Sequence, residues 1–428
     1  MISTRRALLH RTLIVIVSIL LVSASGCIPS RLRNGALFAT DPVQPPVVRV
    51  LLPVEKARIT VRGEGRYVVC TVNSPETSAP GVFSTEERLT IRRTSHGLDV
   101  VGENRVVLAR GVIGLSIHCE EADHRIWLGD TPYHGCLIIG QNDHSRLQVV
   151  NRLNLDTYLE GVLTPELGER RPDEFEAVEA QAVASRTYAL GHLGQYGAAF
   201  HDLRADVADQ IYVGASQPRV WVDSAVAATR GEVITYAGQL IDAYYHSTCG
   251  GHTDAIEDIW PKMPRPYLVS VDDDTFCHWS KYTTWTEEFS GRALLANLRA
   301  HRRRLSQPPI GDFHKINDIE LLPSTPGGRL KVMTVVTPSG RWTILADEIR
   351  WALGRPSRPG TILPSSRFTL TLRRDKRGHV TGATAQGSGY GHGVGMCQCG
   401  MIGRARAGQS YLSILATYYP GAMVERLY

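Results

Sequence analysis

The sequence predicts an α+β protein: a β-rich N-terminal part followed by a mixed α/β domain with a β-rich insertion. Short valine, isoleucine and leucine runs alternate with turn residues from position 47 to 150, and an alanine-rich segment follows. A second β-rich stretch, punctuated by proline and glycine, extends to about Ala385. With 428 residues and 43% hydrophobic composition, the chain can build more than one core.

We expect a β-rich N-terminal domain over residues 47–146 and the mixed domain over residues 147–428. The segments that predict strands are rich in β-branched residues; they include Val47–Leu52, Ala57–Val61, Leu89–Arg93 and Leu147–Val150. Besides the alanine-rich segment, helices are predicted at Ala293–Leu305 and Tyr411–Tyr418.

The alanine-rich segment predicts a helix from Pro172 to Leu190, because proline suits a first helical position and acidic residues follow it. Its alanines leave room for other backbone elements to approach closely. Gln181, Ser185 and Tyr188 recur at helical spacing and form a polar face that can look into a groove. An ordinary buried helix is the alternative interpretation.

Glu166 is the candidate general acid. It follows a proline and is expected on a turn ahead of the alanine-rich helix. The apolar neighbours Leu163 and Leu167 can desolvate its carboxyl and raise the pKa towards the range useful for an acid. Glu160 and Glu169 are the alternatives, both in more polar sequence.

Histidine and cysteine cluster in the sequence His246-Ser-Thr-Cys249-Gly-Gly-His252, with Cys277 downstream. Two histidines and two cysteines are typical of a closed zinc site, in which the metal is structural. His278 can replace Cys277 as the fourth ligand. A disulfide between Cys249 and Cys277 is the alternative, since exported proteins form such bonds.

Five glycines occupy alternate positions from Gly387 to Gly395, so the backbone can approach a ligand closely. The lysine and hydroxyl residue of a phosphate-binding loop are absent. His392 within this loop either hydrogen-bonds a substrate or orders the loop. Cys397 and Cys399, just after it, are expected to pack in the core.

The N-terminus predicts export. Three arginines precede an apolar run from Leu13 to Val22 that is too short to span a membrane, and small residues then lead to Cys27. We expect a lipoprotein signal peptide over residues 1–26, lipidation at Cys27 and a proline-containing tether over residues 27–46. The protein would then be anchored to a bacterial membrane and face the periplasm or cell wall; plain secretion is the alternative.

Charge argues against nucleic acid as a partner. The formal net charge is +5, but removal of the signal peptide takes three arginines with it and leaves 44 of the 47 basic side chains against 42 acidic ones. Nucleic-acid binding requires a basic surface. The run Arg302–Arg304 is interpreted as a solvated helix face.

The Tyr158–Glu166 segment and its alanine-rich continuation resemble the SpoIID/LytB family. The likeness continues in order through Asp209–Gly214, Ala225–Gly231, Ala243–Thr253, Gly389–Gln398 and Ile414–Gly421. Cys399 and Met401 depart from the family pattern.

Catalytic members of that family are peptidoglycan lytic transglycosylases, and other members enhance cell-wall amidases. The resemblance implies that Glu166 protonates the bond between N-acetylmuramic acid and N-acetylglucosamine and then acts as the base, which leaves a 1,6-anhydro sugar. It implies glycan strands, and alternatively an amidase, as partners, and zinc near the active site in some members. The residues predicted to bind substrate are Gln181, Arg186, Tyr188, Gln210, Tyr212 and His392. A zinc peptidase is disfavoured, since the sequence contains no H-E-x-x-H.

Overall fold

A computed structural model describes residues 44–72, 81–142, 146–197, 200–206, 208–215 and 220–428. The predicted signal peptide, Cys27 and most of the tether lie outside the described residues. Within those ranges, no helix is both long and apolar enough to span a bilayer.

The N-terminal part consists of β-strands, as predicted. They are β1 (Val47–Leu51), β2 (Arg58–Gly63), β3 (Tyr67–Val72), β4 (Val82–Thr85), β5 (Leu89–Thr94), β6 (Gly97–Val101), β7 (Val107–Val112), β8 (Gly114–Cys119), β9 (Ile126–Leu128), β10 (Thr131–Tyr133), β11 (Cys136–Gln141) and β12 (Leu147–Asn154). Two antiparallel sheets result, with strand orders β1-β12-β11-β8-β3-β4 and β10-β9-β2-β5-β6-β7. Every second residue of β3 is buried, as expected for a strand with one face on a core.

Helices and short strands alternate in the remainder. The helices are α1 (Leu155–Leu167), α2 (Phe175–Gly191), α3 (Val220–Ala228), α4 (Ile256–Ile259), α5 (Gly291–Arg304), α6 (Glu348–Leu353), α7 (Gln398–Arg406) and α8 (Tyr411–Tyr418). The strands are β13 (Leu203–Arg204), β14 (Glu232–Tyr236), β15 (Gln239–Leu240), β16 (Tyr245–His246), β17 (Trp285–Ser290), β18 (Asp318–Ser324), β19 (Leu330–Thr337), β20 (Gly340–Leu345), β21 (Phe368–Arg374), β22 (Val380–Gly387), β23 (Met396–Cys397) and β24 (Met423–Arg426). The predicted α+β class is confirmed.

Helix α2 is the central helix, and every residue from Ala177 to Ala189 is buried. A 3-10 turn at Pro172–Glu174 precedes it, so the predicted helix is present with its first turn wound more tightly. Helices α1, α3, α7 and α8 and strand β14 pack around α2. One continuous core joins these helices to both N-terminal sheets, and β13 extends the first sheet by pairing in parallel with β1.

The predicted β-rich insertion has a core of its own between Trp285 and Ala385. Its sheets have the orders β17-β22-β21 and β18-β19-β20, and α5 and α6 pack on them. A fully buried ion pair ties it to the rest of the molecule: Arg329 Nη1 of the insertion lies 2.6 Å from Asp254 Oδ2. Asp254 Oδ1 also accepts a hydrogen bond from the Gly327 amide at 3.0 Å.

Candidate active site and thiol cluster

Glu166 lies in the last turn of α1 and not on a turn ahead of the next helix, so that expectation was wrong. Helix α1 continues through Pro165 to Leu167 and ends at Gly168, whose φ is +65°. Proline has no amide hydrogen and frees the carbonyl of the residue four positions earlier. That carbonyl, of Gly161, is instead approached by the Val213 amide at 3.4 Å.

Gly161 allows the Ile211–Val213 loop to lie directly against α1. A Cβ at this position would come within 2.4 Å of the Tyr212 ring. The loop therefore brings the Ile211 amide to Glu166, where it donates a hydrogen bond to the carboxylate. Proline and glycine together thus position a backbone donor beside the candidate acid.

The Glu166 carboxyl is half-buried, with Leu163 and Leu167 buried beside it. Burial raises the pKa of Glu166, and hydrogen bonds from the Gln398 side chain and the Ile211 amide oppose that rise. Gln398 Nε2 lies 3.0 Å from Glu166 Oε2. Because both donors are neutral, they do not force the carboxyl to ionise. They still stabilise the carboxylate through hydrogen bonds once the proton has been lost.

The polar face of α2 looks into the interior and supports Gln398. Gln181 and Ser185 are fully buried. Gln181 Oε1 lies 3.5 Å from Gln398 Nε2, and Gln181 Nε2 donates to Ser185 Oγ at 3.0 Å. Gln181, predicted to bind substrate, thus lies in a layer beneath the candidate acid. Gln398 itself was missed, although it ends one of the recognised motifs.

Gln210 lies in the same buried layer. Its Oε1 accepts from the Tyr158 hydroxyl, and its Nε2 donates to the Tyr245 hydroxyl, both at 3.0 Å. Burial, with a smaller contribution from the Glu166 charge, raises the pKa of Tyr245. Gln210 therefore orients a phenol that the charge of Glu166 affects.

Arg186 and Tyr212 contact other parts of the protein. Arg186 is fully buried, with Nη2 3.2 Å from Asp156 Oδ1 and Nη1 3.2 Å from the Glu232 carbonyl. The Tyr212 hydroxyl donates to Asn151 Oδ1 at 2.7 Å. The Arg186 contacts tie α2 to α1 and β14, the Tyr212 contact ties its loop to β12, and neither side chain is brought to the surface at Glu166.

Aromatic side chains form a row that leads away from Tyr245. Tyr188, 8% exposed, stacks on His192 with ring centroids 3.9 Å apart. Its other edge faces Tyr244 at 6.1 Å, and Tyr244 contacts Trp260 at 5.0 Å. Tyr244 and Trp260 are half-buried, so this aromatic row is in part open to solvent.

His392 orders the glycine-rich loop. Its Nδ1 accepts from the Val394 amide at 3.1 Å, so Nε2 carries the hydrogen that faces the Tyr245 carbonyl at 2.9 Å. Burial lowers the pKa of His392 to about 4. The glycines serve close packing within the chain: a Cβ at Gly395 would lie 2.1 Å from the Tyr244 carbonyl oxygen.

Of the predicted alternatives to Glu166, Glu160 has the more perturbed surroundings. Burial, with Asp223 and Asp156 nearby, raises its pKa to about 7. It lies six positions before Glu166, which places the two carboxyls on different faces of α1. Glu169 is exposed beyond the helix end.

A buried cluster brings together Cys249, Asp273, Cys277 and Cys397, whose ligand atoms all lie within 4.8 Å of one another. We call these four residues the thiol cluster. The two Sγ atoms of Cys249 and Cys277 are 3.6 Å apart, so no disulfide joins them. The cluster contains the two predicted cysteines and neither predicted histidine.

The two histidines lie elsewhere. His246 Nδ1 faces the Val394 carbonyl at 3.2 Å, and the His252 side chain is 40% exposed beside Asp272. Asp273 and Cys397 take their places in the cluster. Asp273 lies in an acidic run whose sequence does not indicate a metal ligand. Cys397 could have been considered as a ligand, because it begins a Cys-x-Cys spacing.

The thiol cluster can hold a metal ion. Sulfur ligands about 2.3 Å from a tetrahedral zinc are about 3.8 Å apart, close to the observed separation. Backbone amides point at the sulfurs: Gly251 to Cys249 at 3.3 Å and Gly400 to Cys397 at 3.2 Å. Such donors favour thiolates, the form that binds metal.

Hydrogen bonds from neighbouring side chains hold the Asp273 carboxylate in place beside the sulfurs. Its Oδ1 accepts from the Tyr418 hydroxyl at 2.5 Å and from Arg404 Nη2 at 3.1 Å. Its Oδ2 faces Cys249 Sγ at 3.1 Å. Outer partners that fix a ligand carboxylate in this way are typical of metal sites.

These features define an α+β protein in which one half-buried acid lies next to a buried thiol cluster. The family model described as Stage II sporulation protein (SpoIID) matches residues 143–236. A model described as a domain of unknown function, DUF8618, matches residues 276–395, which include the insertion. The chain belongs to the SpoIID domain family.

Similar proteins extend this match. An uncharacterized protein of Brachyspira hyodysenteriae is 30% identical over 385 residues, covering 88% of this chain and 92% of the relative. The amidase enhancer of Bacillus subtilis is 30% identical over 285 residues, 58% of this chain and 37% of that protein. Stage II sporulation protein D of the same species is 27% identical over 296 residues, 65% and 76% of the two chains.

Proposed function

We propose that the protein is a peptidoglycan lytic transglycosylase that cleaves between N-acetylmuramic acid and N-acetylglucosamine and leaves 1,6-anhydro ends. The observation that carries the proposal is Glu166, a half-buried carboxyl with a raised pKa and two neutral N–H donors. Hydrolysis with water requires two carboxylates, whereas intramolecular attack requires one acid–base group. The family membership and the relative named stage II sporulation protein D support the proposal.

The mechanism uses one carboxyl group twice, first as an acid and then as a base. Protonated Glu166 donates to the glycosidic oxygen, and the bond from that oxygen to the muramoyl anomeric carbon breaks. Gln398 and the Ile211 amide stabilise the carboxylate that remains. The carboxylate then removes the proton from the muramoyl 6-hydroxyl, whose oxygen attacks the anomeric carbon. Glu166 ends protonated, so no water is consumed.

The test is Glu166→Gln, which keeps the shape and hydrogen-bonding capacity of the side chain but cannot exchange a proton. Cleavage of purified glycan strands should fall about 100- to 10,000-fold while binding to the strands persists. Mass spectrometry should find wild-type products lighter by one water than hydrolysed ends. Products with only reducing ends would make the enzyme a hydrolase.

The second candidate is a non-catalytic wall-binding protein that enhances an N-acetylmuramoyl-L-alanine amidase. The relative named amidase enhancer favours it. In that case, neither product appears, and the wild type and the Gln variant speed the amidase equally. Both candidates take peptidoglycan as a partner, and the predicted anchor at Cys27 would hold either at a bacterial membrane, exposed to the wall.

We further propose that the thiol cluster holds a structural zinc ion. Cys249, Asp273, Cys277 and Cys397 would supply four ligands, which leaves no position for a reacting water. The ion would fasten together the chain around Cys249, the Asp273–Cys277 segment and the start of α7. Loss of a ligand residue should therefore remove the metal and destabilise the fold.

A further inference from the structure

Trp279 is an exposed tryptophan that is nevertheless held firmly. The residue is 43% exposed. The indole Nε1 donates to the Cys399 carbonyl at 3.0 Å, and the Arg406 guanidinium lies 4.1 Å from the ring centroid. One face of the indole is thus occupied by a cation, and the remaining exposure leaves apolar ring surface available to a ligand.

The support under the ring is itself fixed. Arg406 binds Glu174 Oε1 through Nη2 at 2.6 Å and through Nε at 2.9 Å. Glu174 is buried, and its other oxygen accepts from the Arg171 amide at 2.9 Å. A side chain that is already immobile loses little entropy when a ligand binds, which favours a role in binding.

A short segment of chain links Trp279 to the candidate acid Glu166. Strand β23 and the start of α7 run from Met396, whose amide bonds the Tyr244 carbonyl at 3.0 Å, to Cys399, whose carbonyl holds Trp279. Gln398 reaches Glu166 from the middle of this stretch. Three residues span at most about 10 Å. The Tyr244 backbone and the Trp279 indole therefore contact the two ends of the segment whose Gln398 contacts Glu166.

We propose that Trp279 is a sugar-stacking platform that binds the glycan strand beside the segment whose Gln398 contacts Glu166. The C–H face of a pyranose ring and an N-acetyl methyl group are apolar and fit an indole face, while the sugar hydroxyls stay in water. This proposal rests on the proposed function for the identity of the ligand.

The experiment compares Trp279→Ala with Trp351→Ala, which removes a similarly exposed tryptophan from the insertion. Binding of stem-peptide-free glycan strands is measured in the Glu166→Gln background, where turnover does not interfere. Loss of the ring at 279 should weaken binding about 3- to 10-fold, and Trp279→Phe should restore most of the affinity. With Glu166 intact, Trp279→Ala should raise KM without an equal fall in kcat. Equal affinity of the two alanine variants would overturn the proposal.

A second measurement needs no substitution. Hydroxyl-radical footprinting of the wild-type protein should show that saturating glycan protects Trp279 from oxidation and leaves Trp351 unprotected. Unchanged oxidation of Trp279 would refute the platform even if the alanine variant failed to fold. Binding and protection are read whether or not strands are cut, so absence of cleavage with protection at Trp279 would reject the transglycosylase and keep the platform.

Discussion

Two neighbouring residues, Cys397 and Gln398, serve opposite kinds of site. Cys397 Sγ accepts from the Cys249 amide at 3.2 Å within the thiol cluster, while Gln398 donates to Glu166. Burial raises the pKa of Glu166, and its two neutral donors only oppose that rise. In the thiol cluster, hydrogen bonds lower the pKa of Cys277, while hydrogen bonding to Cys277 raises the pKa of Cys249 and burial raises that of Cys397. One carboxyl that keeps its proton thus contrasts with three sulfurs among which the protons are unequally held.

The largest effect is expected in the thiol cluster. Cys277→Ser should abolish stoichiometric zinc and lower the free energy of unfolding by more than about 4 kcal/mol, because metal-binding energy is also folding energy. Elemental analysis and thermal unfolding measure both. Cys70→Ser, in β3 and outside the cluster, should retain the metal. Full zinc content in Cys277→Ser, or a quantitative Cys249–Cys277 disulfide in peptide maps, would contradict the assignment.

A smaller effect is expected at the acid when its side-chain donor is removed. Gln398→Ala should reduce kcat about 10- to 100-fold, the range for one hydrogen bond to a charged group. Since the Gln398 hydrogen bond lowers the pKa of Glu166, its loss should move the alkaline limb of the pH–rate profile to higher pH. Gln386→Ala, at an exposed position of β22, is the control. A drop in rate with an unmoved limb would show that Gln398 acts only through packing.

The smallest effect separates the catalytic role of Glu166 from stability. Its pKa is raised in the folded protein, so its contribution to stability is complete below the unfolded pKa and is lost as pH rises through the folded pKa. Glu166→Gln should therefore be more stable than the wild type at neutral pH, by about 1 kcal/mol, and the difference should close below about pH 4. Urea unfolding across pH measures it, with Glu169→Gln as the exposed control. A destabilised Gln variant at neutral pH would mean that the carboxylate is paired in the fold.

Local patterns made the fold class and α2 predictable. The strands show alternating burial, and the stretch 177–189 is rich in alanine. Both patterns depend only on residues that are close together in the chain, so the sequence alone predicts the elements they form. The position of Glu166 was mispredicted because Pro165 indicates the end of a helix. In the structure, the Val213 amide replaces the missing helical bond, and that contact depends on a distant loop.

The composition of the candidate site was less predictable. Asp273 and Cys397 lie 24 and 148 positions from Cys249, so only the folded chain shows that they meet. His246 and His252 have the spacing of metal ligands in the sequence, but their side chains contact other groups. His246 faces the Val394 carbonyl and His252 lies beside Asp272. Gln398 carries no charge, so the sequence does not single it out. Its role as a hydrogen-bond donor is visible only once the structure places it against the half-buried carboxyl of Glu166.

The buried pair of Arg329 and Asp254 has a consequence for inheritance. Arg329 belongs to the insertion, whereas Asp254 belongs to the part of the chain that surrounds it. A descendant that lost only the Arg329 guanidinium would retain Asp254 as a buried carboxylate without its cation, at a cost of about 3–5 kcal/mol. A change at position 329 therefore requires a change at position 254 as well, and among relatives the two residues should be inherited together.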